Sequence, residues 1–198
     1  EQWQREVGGI HPNGDLPQPL LLKTGQAPGD ALVMTAAIWS LHRAHPGKYI
    51  TAVESYWPEV FEHNPDVVPA VVGMADIQMH YPAIHQSNER GIHFMQGYCE
   101  FIGMALGITV PLLTNRPRLY FADSAPPAED FWLICSGGKR DFTNKLWGYD
   151  RYQQVVSSLK GIVRFVQVGN DEDDHPRLDG VECMVGKTTL RGLFDLVR

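Results

Sequence analysis

Residues 19–55, "PLLLKTGQAPGDALVMTAAIWSLHRAHPGKYITAVES", decide the fold. The opening "PLLLKT" (19–24) is a short apolar run and predicts a buried strand. A glycine-containing loop follows, and then Asp30 stands at the mouth of a helical pattern. Ala31, Met34, Ile38 and Leu41 recur at helical spacing and give one buried stripe. "HPGK" (45–48) stops that helix through proline and glycine, and "YITAVES" (49–55) reads as a second strand. Strand, helix and strand in this order predict a mostly parallel sheet covered on both faces, an α/β class.

The alternation continues outward. "PEVFEHN" (58–64) predicts a short helix and "VVPAVVG" (67–73) a third strand. Residues 76–92 read as irregular and polar, and a helix runs from about His93 to Leu106, broken by Gly107. "NRPRLYFADSAPPAED" (115–130) has the proline and short polar residues of a linker. The pattern then restarts: strand "FWLICS", loop "GGKRDFTNKLW", helix "YDRYQQVVSSLK", strand "IVRFVQVG", acidic loop "DEDDHPRLDG", strand "VECMVG" and helix "TTLRGLFDLVR". Two domains are expected, 1–124 and 125–198. The second has three strands, too few for a doubly wound sheet without an unpaired edge and an uncovered face. The expectation is a domain completed elsewhere, by a C-terminal segment or a second chain.

A formal net charge of −6 over 198 residues gives no general nucleic-acid footprint, so an anionic ligand needs a local cluster of donors. No apolar run approaches the roughly 20 residues that span a bilayer. The first residues, "EQWQREVGGIHPNGD", have neither a signal-peptide pattern nor an initiator Met. Cys99, Cys135 and Cys183 are sparse and lie in apolar surroundings. They give neither a disulfide framework nor a zinc spacing, and read as buried free thiols in a reducing compartment, with the cytoplasm as default.

"GVECMVGKTTL" (180–190) has the look of a phosphate-binding P-loop, but Gly180 and Gly186 enclose five residues. The P-loop needs four between its first glycine and the Gly-Lys-Thr. Gly186 is expected to end a strand, and Thr188 or Thr189 to cap the last helix. "SGGKRDFTNKLW" (136–147) joins a strand to a helix, where α/β sheets place ligands. Ser136 and the backbone N–H groups of Gly137 and Gly138 have the chemistry of an anion cradle, with Lys139, Arg140 and Lys145 to neutralise a pyrophosphate; the bland alternative is a solvated basic loop. The acidic loop Asp171, Glu172, Asp173 and Asp174 lacks the spaced ligands of a calcium site and reads as a solvated turn, one member of which could reach a ribose. His80, His85 and His93 surround the irregular segment, in no recognised metal spacing. Asp30 keeps two readings: an N-cap, worth about 1 kcal/mol, or a general base facing a substrate hydroxyl.

The layout resembles the heptosyltransferase-like glycosyltransferases of family nine, which transfer heptose from ADP-heptose during bacterial lipopolysaccharide assembly. The residues that carry it are Lys23, Thr24, Gly29, Asp30 and Thr35 in the first half. In the second they are Ser136, Gly137, Gly138, Lys145 and Trp147, followed by "VGKTTLRGL". The similarity covers most of the chain and is weakest at 74–125. It implies a GT-B architecture of two Rossmann-like domains, with the acceptor on the first and the nucleotide-sugar mainly on the second. By that resemblance Asp30 is the base for direct, inverting displacement, and Lys23, Thr24, Gly29 and Thr35 bind substrate or phosphate. Lys145, with Ser136 and Gly137, steadies the departing diphosphate, Asp171 or Glu172 meets the ribose, and neither metal nor cofactor is required. The acceptor, whether glycan, lipid-linked or protein, is left open. Two departures stand out. The loop before Asp30 carries Gln26, Ala27 and Pro28 and is longer than usual, and Met34 replaces a common threonine. The family's Asp-Thr-Gly-x-x-His motif would follow Arg198, so a half-built donor site is expected. A non-catalytic module derived from this fold, and a nucleotide hydrolase or kinase using Gly186–Thr188, are the competing readings.

Overall fold

The computed structural model describes residues 16–80, 89–122, 129–138 and 146–198. The chain divides into two compact units, Glu1–Ala122 and Asp123–Arg198. The expected boundary, between 124 and 125, lies outside the described residues.

The first unit is built on β1 (Gln18–Thr24), β2 (Tyr49–Ser55) and β3 (Ala75–Gln78), all parallel, in the order β2-β1-β3. Leu20 and Leu22 of the central strand are fully buried, as a strand covered on both faces requires. Helix α1 (Pro28–Ala44) returns the chain from β1 to β2, and its stripe of Ala31, Met34, Ile38 and Leu41 is buried. It packs on α2 (Phe94–Leu106). At the start of α2 the His93 ring Nδ1 accepts the Met95 N–H at 3.1 Å. The helix ends at Gly107, whose left-handed backbone (φ 65°) lets the Ile108 N–H reach the Gly103 carbonyl at 2.9 Å.

Two expectations are corrected here. Residues 67–73 are not a strand: Val67 makes an isolated bridge to Thr51, and the chain then leaves the sheet. Pro69 removes a ladder donor in the middle of the run, and Val72 is fully exposed while Val68 and Val71 pack on Leu21, Ile50 and Met74. The third strand is β3, inside the stretch read as irregular. The expected helix over 58–64 is likewise only a 3-10 turn, Pro58–Val60.

The second unit repeats the scheme with β4 (Trp132–Ile134), β5 (Phe165–Gln167) and β6 (Glu182–Cys183), parallel and in that order. The strands are shorter than their apolar runs. Helix α3 (Tyr149–Ser158) covers the sheet, and Ile134, Val156, Phe165 and Leu178 form its core. Helix α4 (Leu190–Leu196) starts at Thr189, one of the two expected caps, whose Oγ1 accepts the Gly192 N–H at 3.0 Å.

Of the three cysteines, all free, Cys99 is buried, Cys183 half-buried and Cys135 exposed, so the expectation of three buried thiols is corrected at Cys135. Among the described residues no helix is long and apolar enough to cross a membrane.

Candidate functional site

In a parallel sheet the loops leaving the carboxyl ends of the strands are where ligands gather. In the first unit that edge carries Thr24, Gly25, Gln26, Ala27 and then α1. The helix cap is Ala27, which has no side chain to offer, and Pro28 follows in the first turn. Asp30 is therefore not the N-cap. It sits within the first helical turn, half-buried, with its own N–H donated to the Ala27 carbonyl at 3.0 Å. A carboxylate there is favoured by the positive end of the helix, an effect of about 0.3–1 kcal/mol.

The neighbours assigned to substrate by resemblance behave differently from one another. Lys23 Nζ lies 2.6 Å from Asp76 Oδ2 and 3.9 Å from Glu54 Oε2, and the hydrogen bond to Asp76 raises the lysine's pKa. Its charge is already answered by β3. Thr24 is buried, and its Oγ1 accepts the Gln26 N–H at 3.4 Å. Thr35 is 0% exposed; its hydroxyl donates to the Leu32 carbonyl at 2.6 Å and accepts the Arg118 N–H at 2.8 Å. The side chain fastens the 118 segment to α1. Gly29 is exposed, and a methyl group placed on it would meet nothing within 4 Å.

In the second unit the turn after β4 is tightly tied to the loop after β5. Ser136 is 3% exposed; its hydroxyl donates to the Pro176 carbonyl at 2.9 Å and accepts from Gln167 Nε2 at 2.8 Å. Gly138 N–H donates to the Asp174 carbonyl at 3.1 Å, and Asp174 N–H returns a bond of 3.3 Å. Gly137 passes so close to this loop that a Cβ would sit 1.6 Å from the Asp174 oxygen. Of the expected cradle, the Ser136 hydroxyl and the Gly138 N–H are bonded within the chain. Lys145, with Lys139 and Arg140, lies outside the described residues.

Gln167 is the residue that sequence reasoning missed. It is 0% exposed, donates to Ser136 and to the Pro176 carbonyl (2.9 Å), and accepts the Leu178 N–H (3.0 Å). The only sequence signal is a polar amide in an otherwise apolar strand. Asp171 and Glu172 are exposed on the same loop, and Asp171 Cβ would lie 2.7 Å from a Cβ built on Gly186. Lys187, the would-be P-loop lysine, instead donates to the Cys183 carbonyl at 2.8 Å.

His93 caps α2, His80 is exposed, and His85 lies outside the described residues. Among the described residues no group of three or more His, Cys, Asp or Glu side chains is placed to hold a metal ion.

No family model matches the sequence, and no curated protein does. Solved structures do. The iron-containing dodecameric glycosyltransferase TibC from enterotoxigenic E. coli H10407 superposes with a TM-score of 0.64 at 16% identity, over 92% of this chain and 52% of TibC. The chain has the fold of heptosyltransferase-like glycosyltransferases. E. coli ADP-heptose lps heptosyltransferase II matches with a TM-score of 0.56 and 14% identity, over 91% of this chain and 76% of that one. The family 9 glycosyl transferase from Veillonella parvula DSM 2008 gives 0.58 and 12%, over 91% and 73%. TibC has also been solved in complex with ADP-D-beta-D-heptose. This chain spans about half the length of TibC, 52%. The GT-B class inferred from sequence is thereby shown; at such identities the likeness speaks for fold alone.

Proposed function

We propose that this chain is part of a metal-independent, inverting glycosyltransferase that moves a sugar, a heptose by analogy, from a nucleotide-diphosphate donor to an acceptor hydroxyl. The observation that carries the reading is the position of Asp30. A half-buried carboxylate occupies the first turn of α1, at the carboxyl edge of a parallel sheet whose fold is that of heptose-transferring enzymes. In this reading Asp30 takes the proton from the acceptor hydroxyl as its oxygen attacks the anomeric carbon. The bond to the nucleotide diphosphate breaks on the opposite face, and the sugar inverts. The role of steadying the departing diphosphate is assigned to Gly137 and Lys145, because stabilising charge that develops only in the transition state is what accelerates such a step. Ser136 shapes the turn from beneath, and Asp171 or Glu172 takes the ribose. No metal or cofactor is called on, and the acceptor class is open. Cytoplasmic placement and completion of the donor domain by further chain or a second polypeptide belong to the same proposal.

The test uses the intact protein. ADP-heptose should raise its melting temperature, and Asp30→Asn should lower transfer by about 10²–10⁴-fold, the usual range for a general base, while costing stability only on the scale of the helix-end effect, about 0.3–1 kcal/mol. Undiminished turnover in Asp30→Asn would leave the carboxylate only its helix-end role. The second reading, a non-catalytic binding module, is favoured by the internal bonding of Ser136 and Gly138. It predicts donor binding without transfer.

A further inference from the structure

The loop that leads into α1 and Asp30 begins at Gly25 and offers no side-chain cap, so something else must fix where α1 starts. Gln26 is 6% exposed and tied on every side. Its backbone N–H reaches Thr24 Oγ1 at 3.4 Å, and its backbone carbonyl accepts the Trp57 Nε1–H at 3.0 Å. Its side-chain Nε2 donates to the Met79 carbonyl at 3.3 Å, and its Oε1 accepts from the Tyr98 hydroxyl. Trp57 is itself held, its N–H on Ser55 Oγ at 3.1 Å. One residue thus joins the end of β1, the chain beyond β2, the chain beyond β3, and α2. Asp30 lies one helical turn further on.

We propose that Gln26 is the positioning residue for Asp30, a role that rests on the transferase reading above. A buried amide with both ends paired resists displacement, because any shift leaves polar groups without partners in a water-poor interior. Ala27 and Pro28 follow directly, so fixing Gln26 fixes the turn from which the Asp30 carboxylate projects. A displacement of about 1 Å at a reacting group can cost on the order of 10²-fold in rate.

The experiment compares the intact protein with Gln26→Leu, Tyr98→Phe and Trp57→Phe. The last two each delete a single donor, Tyr98→Phe at nearly constant packing and Trp57→Phe with a smaller ring, and serve if Gln26→Leu does not fold. Hydrogen exchange over residues 24–30 and steady-state kinetics with ADP-heptose are read together. The expected result is faster exchange confined to that loop, kcat lowered about 10–100-fold, and donor KM within about twofold, since the donor is assigned mainly to the second unit. Gln26→Asn, which keeps the amide, should recover part of kcat. Unchanged exchange in all three variants would overturn the proposal. So would faster exchange with unchanged kcat, which would make Gln26 merely structural. If the unsubstituted protein binds ADP-heptose but transfers nothing, the transferase reading fails and the catalytic role of Gln26 falls with it. Faster loop exchange in that case would mark that failure as separate from any error about how the loop is held.

Discussion

His42 shows how one side chain can tie the stability of a whole unit to pH. Its Nε2 lies 3.0 Å from Thr51 Oγ1, joining the last turn of α1 to β2. Burial lowers its pKa, Arg43 adds to that, and Asp66 opposes it. A histidine whose folded pKa lies below its unfolded one binds its proton more readily in the unfolded chain. Stability is therefore fully present above about pH 6.5, the ordinary histidine value, and is lost progressively as pH falls below it. Urea midpoints measured from about pH 8 down to about pH 5 should drop, and His42→Gln, which cannot take up a proton, should flatten the slope. An equal slope in both proteins would assign the acid sensitivity elsewhere. Thr35 is a second lesson at this scale. The resemblance places it at the substrate, and within the fold its hydroxyl bonds Leu32 and Arg118. Sequence spacing does not reveal whether a polar side chain faces solvent or its own chain.

Among the elements, α4 is the most dependent on a single residue. With seven residues it is well below the length at which isolated helices persist, and Thr189 supplies its cap. Thr189→Ala should cost about 1 kcal/mol, readable as a lowered unfolding midpoint of the second unit, while Thr188→Ala should cost markedly less. The elements also divide by how plainly the chain announces them. β1, α1 and β2 were legible because apolar run, helical stripe and proline-glycine stop agree with one another. β3 was hidden by its brevity, although Ile77 and Met79 alternate with Asp76 and Gln78 as a strand half-covered by the core would demand. "VVPAVVG" misled in the opposite direction: its valines satisfy the composition of a strand, but Pro69 interrupts the ladder. At the candidate site, the position of Asp30 could be read from the strand–loop–helix order. The Gln26 and Gln167 networks could not, because, Thr24 apart, their partners come from 9 to 72 positions away in the chain.

For the whole molecule, the thiols provide a separate probe of each unit. Cys99 lies in the interior of the first unit, and burial pushes its pKa up to about 11, so thiolate is scarce there at neutral pH. Cys135 is exposed in the second unit, and Cys183 is half-buried there. A thiol reagent should modify Cys135 first and Cys183 more slowly. Cys99 should react only as the first unit opens, so labelling along a denaturant series gives each unit its own unfolding curve. Rapid modification of Cys99 in the native protein would contradict the packing of α2 against α1. The close passage of Gly137 beside Asp174 reaches further. A hydrogen atom is all the space admits, so even alanine would drive the two turns apart. Mutational libraries should return a single permitted letter at 137, and that intolerance would persist in variants retaining no enzymatic activity at all.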